Sequence, residues 1–477
     1  MSDRSELTRE ILEGPSGPKI TAFFDVDRTL LAGFSVVEFI RDGILSGRTG
    51  PREMLETAIA IAQFELNQAG FSAFVAGTSA ALRGMPEKDF AALGERIFSD
   101  RLAADVYPES RALVQAHLKK EHTVAVVSSA TRYQIDPLAE DLGIPHVLCT
   151  RLEVVNGKFT GQVLKPTCYG EGKALHARDF AARHKVDLEE SYFYTDSDED
   201  LSLLSIVGHP RPTNPNGGLR EIAVKRGWPM RTFTSRGMAG PTEILRTSLA
   251  LGALVPSVLL GLPALLFDGS WRRTVNIAAS VWGEIGTALA GIDVQTKGEQ
   301  HLWSHRPAVF IFNHQSAIDM LLLCKLLRRD FIGIAKTEVQ RNPIFGPVFS
   351  LAGSVFIDRS NHTEAVRALE PAIDALRRGL SITIAPEGTR SSTPKLGRFK
   401  KGAFHLAMAA KVPIVPIVFK NALDALPKHA MFVRPATIEA VVHKPISTDD
   451  WTLDNLDKKI ESVRRIYQKT LRDLRGR

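Results

Sequence analysis

Cysteine is nearly absent from this chain. Three occur in 477 residues, Cys149, Cys168 and Cys324, far apart from one another. That excludes a disulfide framework or a thiolate metal cluster and suits a reducing compartment. The N-terminus lacks an apolar segment: Asp3, Arg4, Glu6, Arg9, Glu10 and Glu13 crowd it, which excludes a secretory signal and places the N-terminal half in the cytoplasm as an expectation. Also missing are a zinc-ligand spacing and the aromatic-rich basic motifs of nucleic-acid readers. The net charge of +7 and pI near 9.2 are therefore read as attraction to phosphorylated substrates or an acidic lipid surface, with no nucleic acid. Internal repeats and low-complexity stretches are absent too.

What is present is organised in blocks. The length exceeds one ordinary core, so two or three domains are expected. Residues 1–18, ending in Gly14-Pro15-Ser16-Gly17-Pro18, read as a tail. Ile20 to Phe24 reads as a buried strand. Between about 34 and 105, Val37, Ile40, Ile44, Leu55, Ile59, Ala62 and Leu66 recur at helical spacing, as in a helical insertion. Strands at Val124 to Val127 and Tyr192 to Tyr194 follow, with helices between. The alternation predicts an open, mostly parallel α/β sheet.

Composition shifts near 245. Thr247 to Phe267 carries no charge and is long enough for a bilayer core of roughly 30 Å. Pro256, Pro263, Gly252 and Gly261 interrupt it; Trp271, Arg272 and Arg273 follow as an interfacial anchor. A second apolar stretch, Ile277 to Leu289, is broken by Glu284. Length and flanks favour a membrane-inserted or re-entrant pair; a buried helical hairpin in a soluble domain is the other reading. Beyond it, Val309 to Phe312, Ile382 to Ala385 and Ile414 to Phe419 read as strands. Leu453, Leu456, Ile460, Val463, Tyr467, Leu471 and Leu474 mark a terminal amphipathic helix packed on its own domain, a basic membrane-surface helix being the lesser alternative.

Two ordered constellations carry chemistry. Asp25 and Asp27 sit just past the first strand, on the same side of an extended chain. Asp25 can attack phosphorus and become an aspartyl-phosphate; Asp27 can protonate the leaving oxygen and then activate water. Ser128 closes the second strand and Lys173 follows in Gly170-Glu171-Gly172-Lys173, together offering a hydroxyl, an N–H and a cation to a phosphoryl group. Carboxylates in Thr195-Asp196-Ser197-Asp198-Glu199-Asp200, with Asp25, offer hard oxygen ligands for Mg²⁺, which would offset the repulsion between Asp25 and phosphate. The second constellation starts at Asn313-His314-Gln315-Ser316-Ala317-Ile318-Asp319, where a strand turns into a helix. Asp319 can accept from one ring nitrogen of His314 and leave the other as a base for a hydroxyl. Arg359, in Gly353 to Arg359, can bind phosphate bidentately. Arg390, in Pro386-Glu387-Gly388-Thr389-Arg390, adds a second cation, and a basic run over 395–401 deepens the positive field. Val412-Pro413-Ile414-Val415-Pro416 is a strand bounded by prolines.

The first set resembles the haloacid dehalogenase superfamily, phosphoserine-phosphatase-like subclass, over roughly 20–230. The resemblance implies Asp25 as nucleophile, Asp27 as acid/base, Ser128 and Lys173 as phosphate binders, and a metal site of Asp25, the Asp27 carbonyl, Asp196 and Asp200, with a helical cap at about 34–105. Thr195, Ser197 and Glu199 depart from that subclass's Gly-Asp-Gly-x-Asn-Asp. The second set resembles the 1-acylglycerol-3-phosphate acyltransferases over roughly 245–450. That implies a catalytic His314–Asp319 pair; Arg359, Glu387, Gly388, Thr389 and Arg390 at the glycerol phosphate; Lys336 as a further phosphate ligand; and membrane-embedded helices at 245–292.

The expected architecture is thus α/β throughout. A Rossmann-like sheet with helical cap spans 19–235, a linker and membrane-associated helical hairpin 236–295, and an α/β acyltransferase domain 296–477. The expected protein is a bifunctional lipid enzyme at the cytoplasmic face of a membrane. It would acylate lysophosphatidate from acyl-CoA or acyl-carrier protein and hydrolyse a phosphomonoester with Mg²⁺. The alternative is an acyltransferase whose N-terminal domain only senses phosphate.

Overall fold

The computed structural model describes residues 4–45, 79–343, 345–357 and 369–475. The chain forms two compact units, Met1–Met238 and Ala239–Arg477. Leu55, Ile59, Ala62, Leu66 and Arg359, named above, lie outside the described residues.

In the first unit six strands form one sheet: β1 (Ile20–Phe24), β2 (Thr123–Thr131), β3 (His146–Val155), β4 (Lys158–Leu164), β5 (Asp187–Thr195) and β6 (His209–Pro212), in the order β4-β3-β2-β1-β5-β6. All neighbours are parallel except the β3–β4 hairpin. β1 is central and buried along its whole length, which is why Ile-Thr-Ala-Phe-Phe carries no alternation. Phe24 stands opposite Val126 and Tyr194, so Asp25, Ser128 and Asp196 emerge at the same carboxyl edge. β2 does not end at Ser128, as expected. It runs on to Thr131 through a register shift between Ser128 and Thr131. The bulge re-aims the chain into the helix Arg132–Leu142, where Thr131 and Gln134 form a capping box. Within the expected cap, Ser35–Leu45 and Glu87–Asp100 are helices, with Phe39 packed on Phe90.

The segment read as a tail is ordered over its described residues 4–18. Arg4–Glu13 is a helix whose Ile11 is fully buried, and Glu10 pairs with Arg211 and Arg231. Its mean polarity hid the single apolar stripe that docks it. Beneath it lies a histidine ladder. His122 Nε2 faces the Pro15 carbonyl at 3.0 Å, the two Nδ1 atoms of His117 and His122 are 2.8 Å apart, and His117 Nε2 is 2.9 Å from the Tyr194 hydroxyl. A carbonyl only accepts, so His122 donates to Pro15, accepts from His117, and His117 accepts from Tyr194. With both rings neutral, each bond in the chain has one donor and one acceptor. Burial first, then His122, Arg231 and Arg211, hold His117 well below the ordinary imidazole range. The unfolded histidine titrates near 6.5, so stability is intact above that pH and is lost as pH falls below it, at about 1.4 kcal/mol per unit for each ring kept neutral. Thermal unfolding at pH 7.5 and 5.5 is expected to show a lower midpoint at pH 5.5, and His117→Asn to show a smaller difference between the two.

The second unit holds a seven-stranded sheet. Its strands are β7 (Ile292–Lys297), β8 (Val309–Phe312), β9 (Phe331–Lys336), β10 (Val355–Ile357), β11 (Ser381–Ile384), β12 (Ile414–Lys420) and β13 (Ala436–Val442), ordered β10-β9-β11-β8-β12-β13-β7. Only the β12–β13 pair is antiparallel. β7 begins at Ile292, inside the segment read as linker, because its apolar positions pair with β13. The uncharged stretch is a nearly continuous helical run over 241–268, followed by the helix Trp271–Leu289. That last helix packs on the helix Asp319–Leu327: a Cβ on Gly283 would stand 2.3 Å from the Lys325 nitrogen, a contact only glycine permits. The terminal helix Leu456–Arg475 buries Leu456, Ile460, Val463, Tyr467, Leu471 and Leu474 against its own unit, whereas Leu453, expected on the same face, precedes the helix and is exposed.

Candidate functional site

At the carboxyl edge of the first sheet, β1, β2 and β5 deliver their loops side by side, where an open α/β sheet has its ligand crevice. Asp25 is buried and its N–H donates to the Tyr194 carbonyl at 2.9 Å, which locks the first residue of the motif to β5. Lys173, from the first turn of the helix Glu171–His184, reaches 2.9 Å from Asp25 Oδ1 and 2.8 Å from Asp200 Oδ2. Asp27 Oδ1 accepts the Ser35 N–H at 2.7 Å, and Arg28 stands 3.4 Å from Asp196. Ser128 is buried, its hydroxyl accepting the Ala130 N–H at 3.2 Å.

The charges here do not balance. Burial, against the pull of Lys173 and with Asp200 and Asp27 adding repulsion, pushes Asp25 up to about 7. Burial and then Asp25 push Asp196 up to about 8, and burial raises Asp27 against the Ser35 N–H. Burial lowers the Lys173 pKa, but Asp200 and Asp25 outweigh it and hold the ammonium charged. Lys173 and Arg28 face four carboxyls, Asp25, Asp27, Asp196 and Asp200, which leaves a surplus of hard oxygen donors of the kind a divalent cation takes. Among the described residues no three carboxyl, thiol or imidazole groups are grouped to ligate a metal by side chains alone. Asp200 explains part of this. Its Oδ2 is taken by Lys173 and by the Thr195 hydroxyl, so it positions the lysine rather than offering that oxygen outward. Thr195, read above only as a departure from a glycine, is the residue that aims Asp200.

In the second unit β8 and β11 are parallel neighbours with Ile311 opposite Ile384, so His314 and Glu387 leave the same edge together. His314 Nδ1 lies 2.8 Å from Asp319 Oδ2, which also accepts the N–H groups of Gln315 and Ser316 at 3.0 and 3.1 Å. Asp319 opens the helix Asp319–Leu327, where the helix dipole favours its charge. A carboxylate accepts only, so Nδ1 carries the proton and Nε2 is left as the base. The imidazole is part-exposed while Asp319 is buried. Asn313 bonds the Phe419 N–H and carbonyl, both at 2.8 Å, and fixes the loop to β12.

Both carboxylate oxygens of Glu387 are engaged by backbone N–H groups. Its Oε1 accepts the His314 N–H at 2.8 Å and its Oε2 the Gly397 N–H at 2.7 Å, and Ser391 N–H returns to the His314 carbonyl at 2.8 Å. Burial raises its pKa against those two N–H groups. It is a brace between the histidine loop and the 386–400 loop. Gly388 is buried at the same turn, Arg390 is half-buried, and Thr389 is exposed. Lys336 ends β9 and is exposed. The residues sequence reasoning did not single out are Asn313, Gly397, Ser35 and Thr195. Each works through a backbone group or a second side chain, which no spacing in the chain reveals.

Comparison with known proteins follows the same division. The haloacid dehalogenase-like hydrolase family matches residues 22–205 and the acyltransferase family residues 293–420. A 1-acyl-sn-glycerol-3-phosphate acyltransferase of Limnanthes alba is 34% identical over 229 residues, 48% of this chain and 79% of that protein. A probable phosphatase of Mycobacterium tuberculosis is 33% identical over 250 residues, 52% of this chain and 86% of that protein. The solved 1-acyl-sn-glycerophosphate acyltransferase of Thermotoga maritima aligns with 49% of this chain and 97% of its own, at 21% identity and a TM-score of 0.43. The two family matches and the two sequence relatives decide the family question half by half: the chain belongs to the haloacid dehalogenase-like hydrolases over its N-terminal part and to the 1-acylglycerol-3-phosphate acyltransferases over its C-terminal part.

Proposed function

We propose that this two-enzyme chain acylates lysophosphatidate to phosphatidate with its C-terminal unit and hydrolyses a phosphomonoester with its N-terminal unit. In the first reaction His314 Nε2 takes the proton of the acceptor hydroxyl. The oxygen attacks the thioester carbonyl of acyl-CoA or acyl-carrier protein, the C–S bond breaks, and the thiol leaves with a proton. Arg390, Lys336 and Arg359 supply positive charge for the acceptor's phosphate. In the second reaction an Asp25 oxygen attacks phosphorus, the ester P–O bond breaks, and Asp27 protonates the leaving oxygen. Water then attacks the aspartyl-phosphate, giving its proton to Asp27. Lys173 and Ser128 hold the phosphoryl oxygens. Asp25, Asp196 and the Asp27 carbonyl would hold Mg²⁺, which supplies charge neutralisation when bound.

The observation that carries this reading is the 2.8 Å His314–Asp319 contact on one sheet edge, matched in the other unit by Lys173 held between Asp25 and Asp200. Membrane association is supported by the 241–268 run, apolar and long enough to cross a bilayer, on which Leu266 and Phe267 are 89% and 87% exposed. The purified chain, given acyl-CoA and lysophosphatidate, should form phosphatidate; given an aryl phosphate, it should release phosphate only with Mg²⁺. No phosphatidate with either acyl donor would refute the first half. Phosphate binding without release would reduce the N-terminal unit to a sensor.

A further inference from the structure

The turn Pro386-Glu387-Gly388 is covered by a side chain that no role has yet absorbed. Lys400 donates its backbone N–H to the Pro386 carbonyl at 2.8 Å, which fixes where its side chain starts. Gly388 has φ +77, and a Cβ built there would stand 3.0 Å from Lys400 Cδ, Cε and Nζ alike. The lysine stem therefore lies flat across the face that glycine leaves bare, and its ammonium ends at the turn itself. The residue before Gly388, Glu387, is the brace whose Oε1 holds the His314 N–H. The neighbour Lys401 turns elsewhere: its Nζ is 2.8 Å from Asp457 Oδ1 on the terminal helix. Two adjacent lysines thus have different tasks. The Lys400 ammonium makes no such pair among the described residues, and both oxygens of Glu387 are already bound to N–H groups.

We infer that Lys400 is a phosphate-binding residue of the acyltransferase site, placing a positive point charge beside Gly388 to fix the acceptor's phosphate relative to His314. Gly388 serves this by its missing side chain: any Cβ there would displace the lysine. The ligand chemistry is a phosphomonoester dianion on a glycerol backbone, and this inference rests on the acyltransferase reading above. Because the ammonium acts on the substrate's charge and leaves the His314–Asp319 pair alone, its loss falls on acceptor binding rather than turnover.

The test uses the full chain with Lys400→Met and Lys401→Met, lysophosphatidate as acceptor, and monoacylglycerol as an acceptor without phosphate. Losing one charge-assisted contact is expected to raise KM for lysophosphatidate about tenfold or more in Lys400→Met, with kcat held within about threefold. Lys401→Met, whose ammonium is paired with Asp457, should raise KM far less than Lys400→Met, and Lys400→Arg should recover part of the loss. The discrimination between lysophosphatidate and monoacylglycerol should narrow in Lys400→Met alone. Equal effects of the two methionine variants, a fall in kcat with KM unchanged, or no change in Lys400→Met would each overturn the inference. If the parent chain itself makes no phosphatidate, it is the acyltransferase reading that fails.

Discussion

Replacing His314 with alanine is expected to lower acyl transfer by roughly 10³-fold or more, the range a positioned general base contributes. The loss should appear in kcat, because the imidazole meets the acceptor hydroxyl only as the proton moves. Phosphate release by the same variant should equal the parent's, since Asp25, Lys173 and Asp200 belong to the other unit. A control separates chemistry from architecture. Asp319→Asn keeps the shape but cannot act as an ionised acceptor for Nδ1–H, so it should also lose activity, through the wrong tautomer. Glu387→Gln should fall between: its amide oxygen can accept only one of the two N–H groups now held, from His314 or from Gly397. Paired assays of phosphatidate formation and phosphate release on the three variants check this. A His314→Ala variant retaining a tenth of its acyl transfer would exclude the imidazole as base.

How much of this was legible in the chain depends on whether a residue acts through its own side chain on a substrate. Asp25, Lys173, His314 and Asp319 do, or touch a residue that does, and their types and order sufficed to place them at two strand edges. β1, β8 and β12 were legible for the same kind of reason: each is a short run dominated by apolar residues. The β3–β4 hairpin was not, because Arg151, Glu153, Lys158 and Gln162 dilute its pattern on an edge that faces water. The docked helix Arg4–Glu13 escaped because its anchor is one leucine-sized stripe plus an ion pair 201 residues away. Glu387 was read as a substrate ligand because it sits in a motif that faces substrate. Its carboxylate is instead consumed by two backbone N–H groups, and which way a carboxylate points is decided by the fold of the loop around it.

Asp25→Asn should abolish phosphate release, by roughly 10⁴-fold or more, since an amide oxygen neither attacks phosphorus nor leaves as a carboxylate. The companion result decides what that loss means. Asp25 is a buried carboxyl already pushed up to about 7, crowded by Asp200 and Asp27. Neutralising it removes repulsion and desolvation cost while keeping its volume, so the thermal midpoint at pH 7 should stay level or rise. Lys173→Met should behave in the opposite way. It strands Asp25 and Asp200 without their shared ammonium, and a buried pair broken from one side costs about 3–5 kcal/mol. Both variants would be inactive, one as a well-folded protein and the other as a destabilised one, read by calorimetry beside the phosphate assay. If Asp25→Asn instead lowered the midpoint as much as Lys173→Met, the carboxylate would be a structural counter-ion to the lysine, and the case for it as nucleophile would fall with that result.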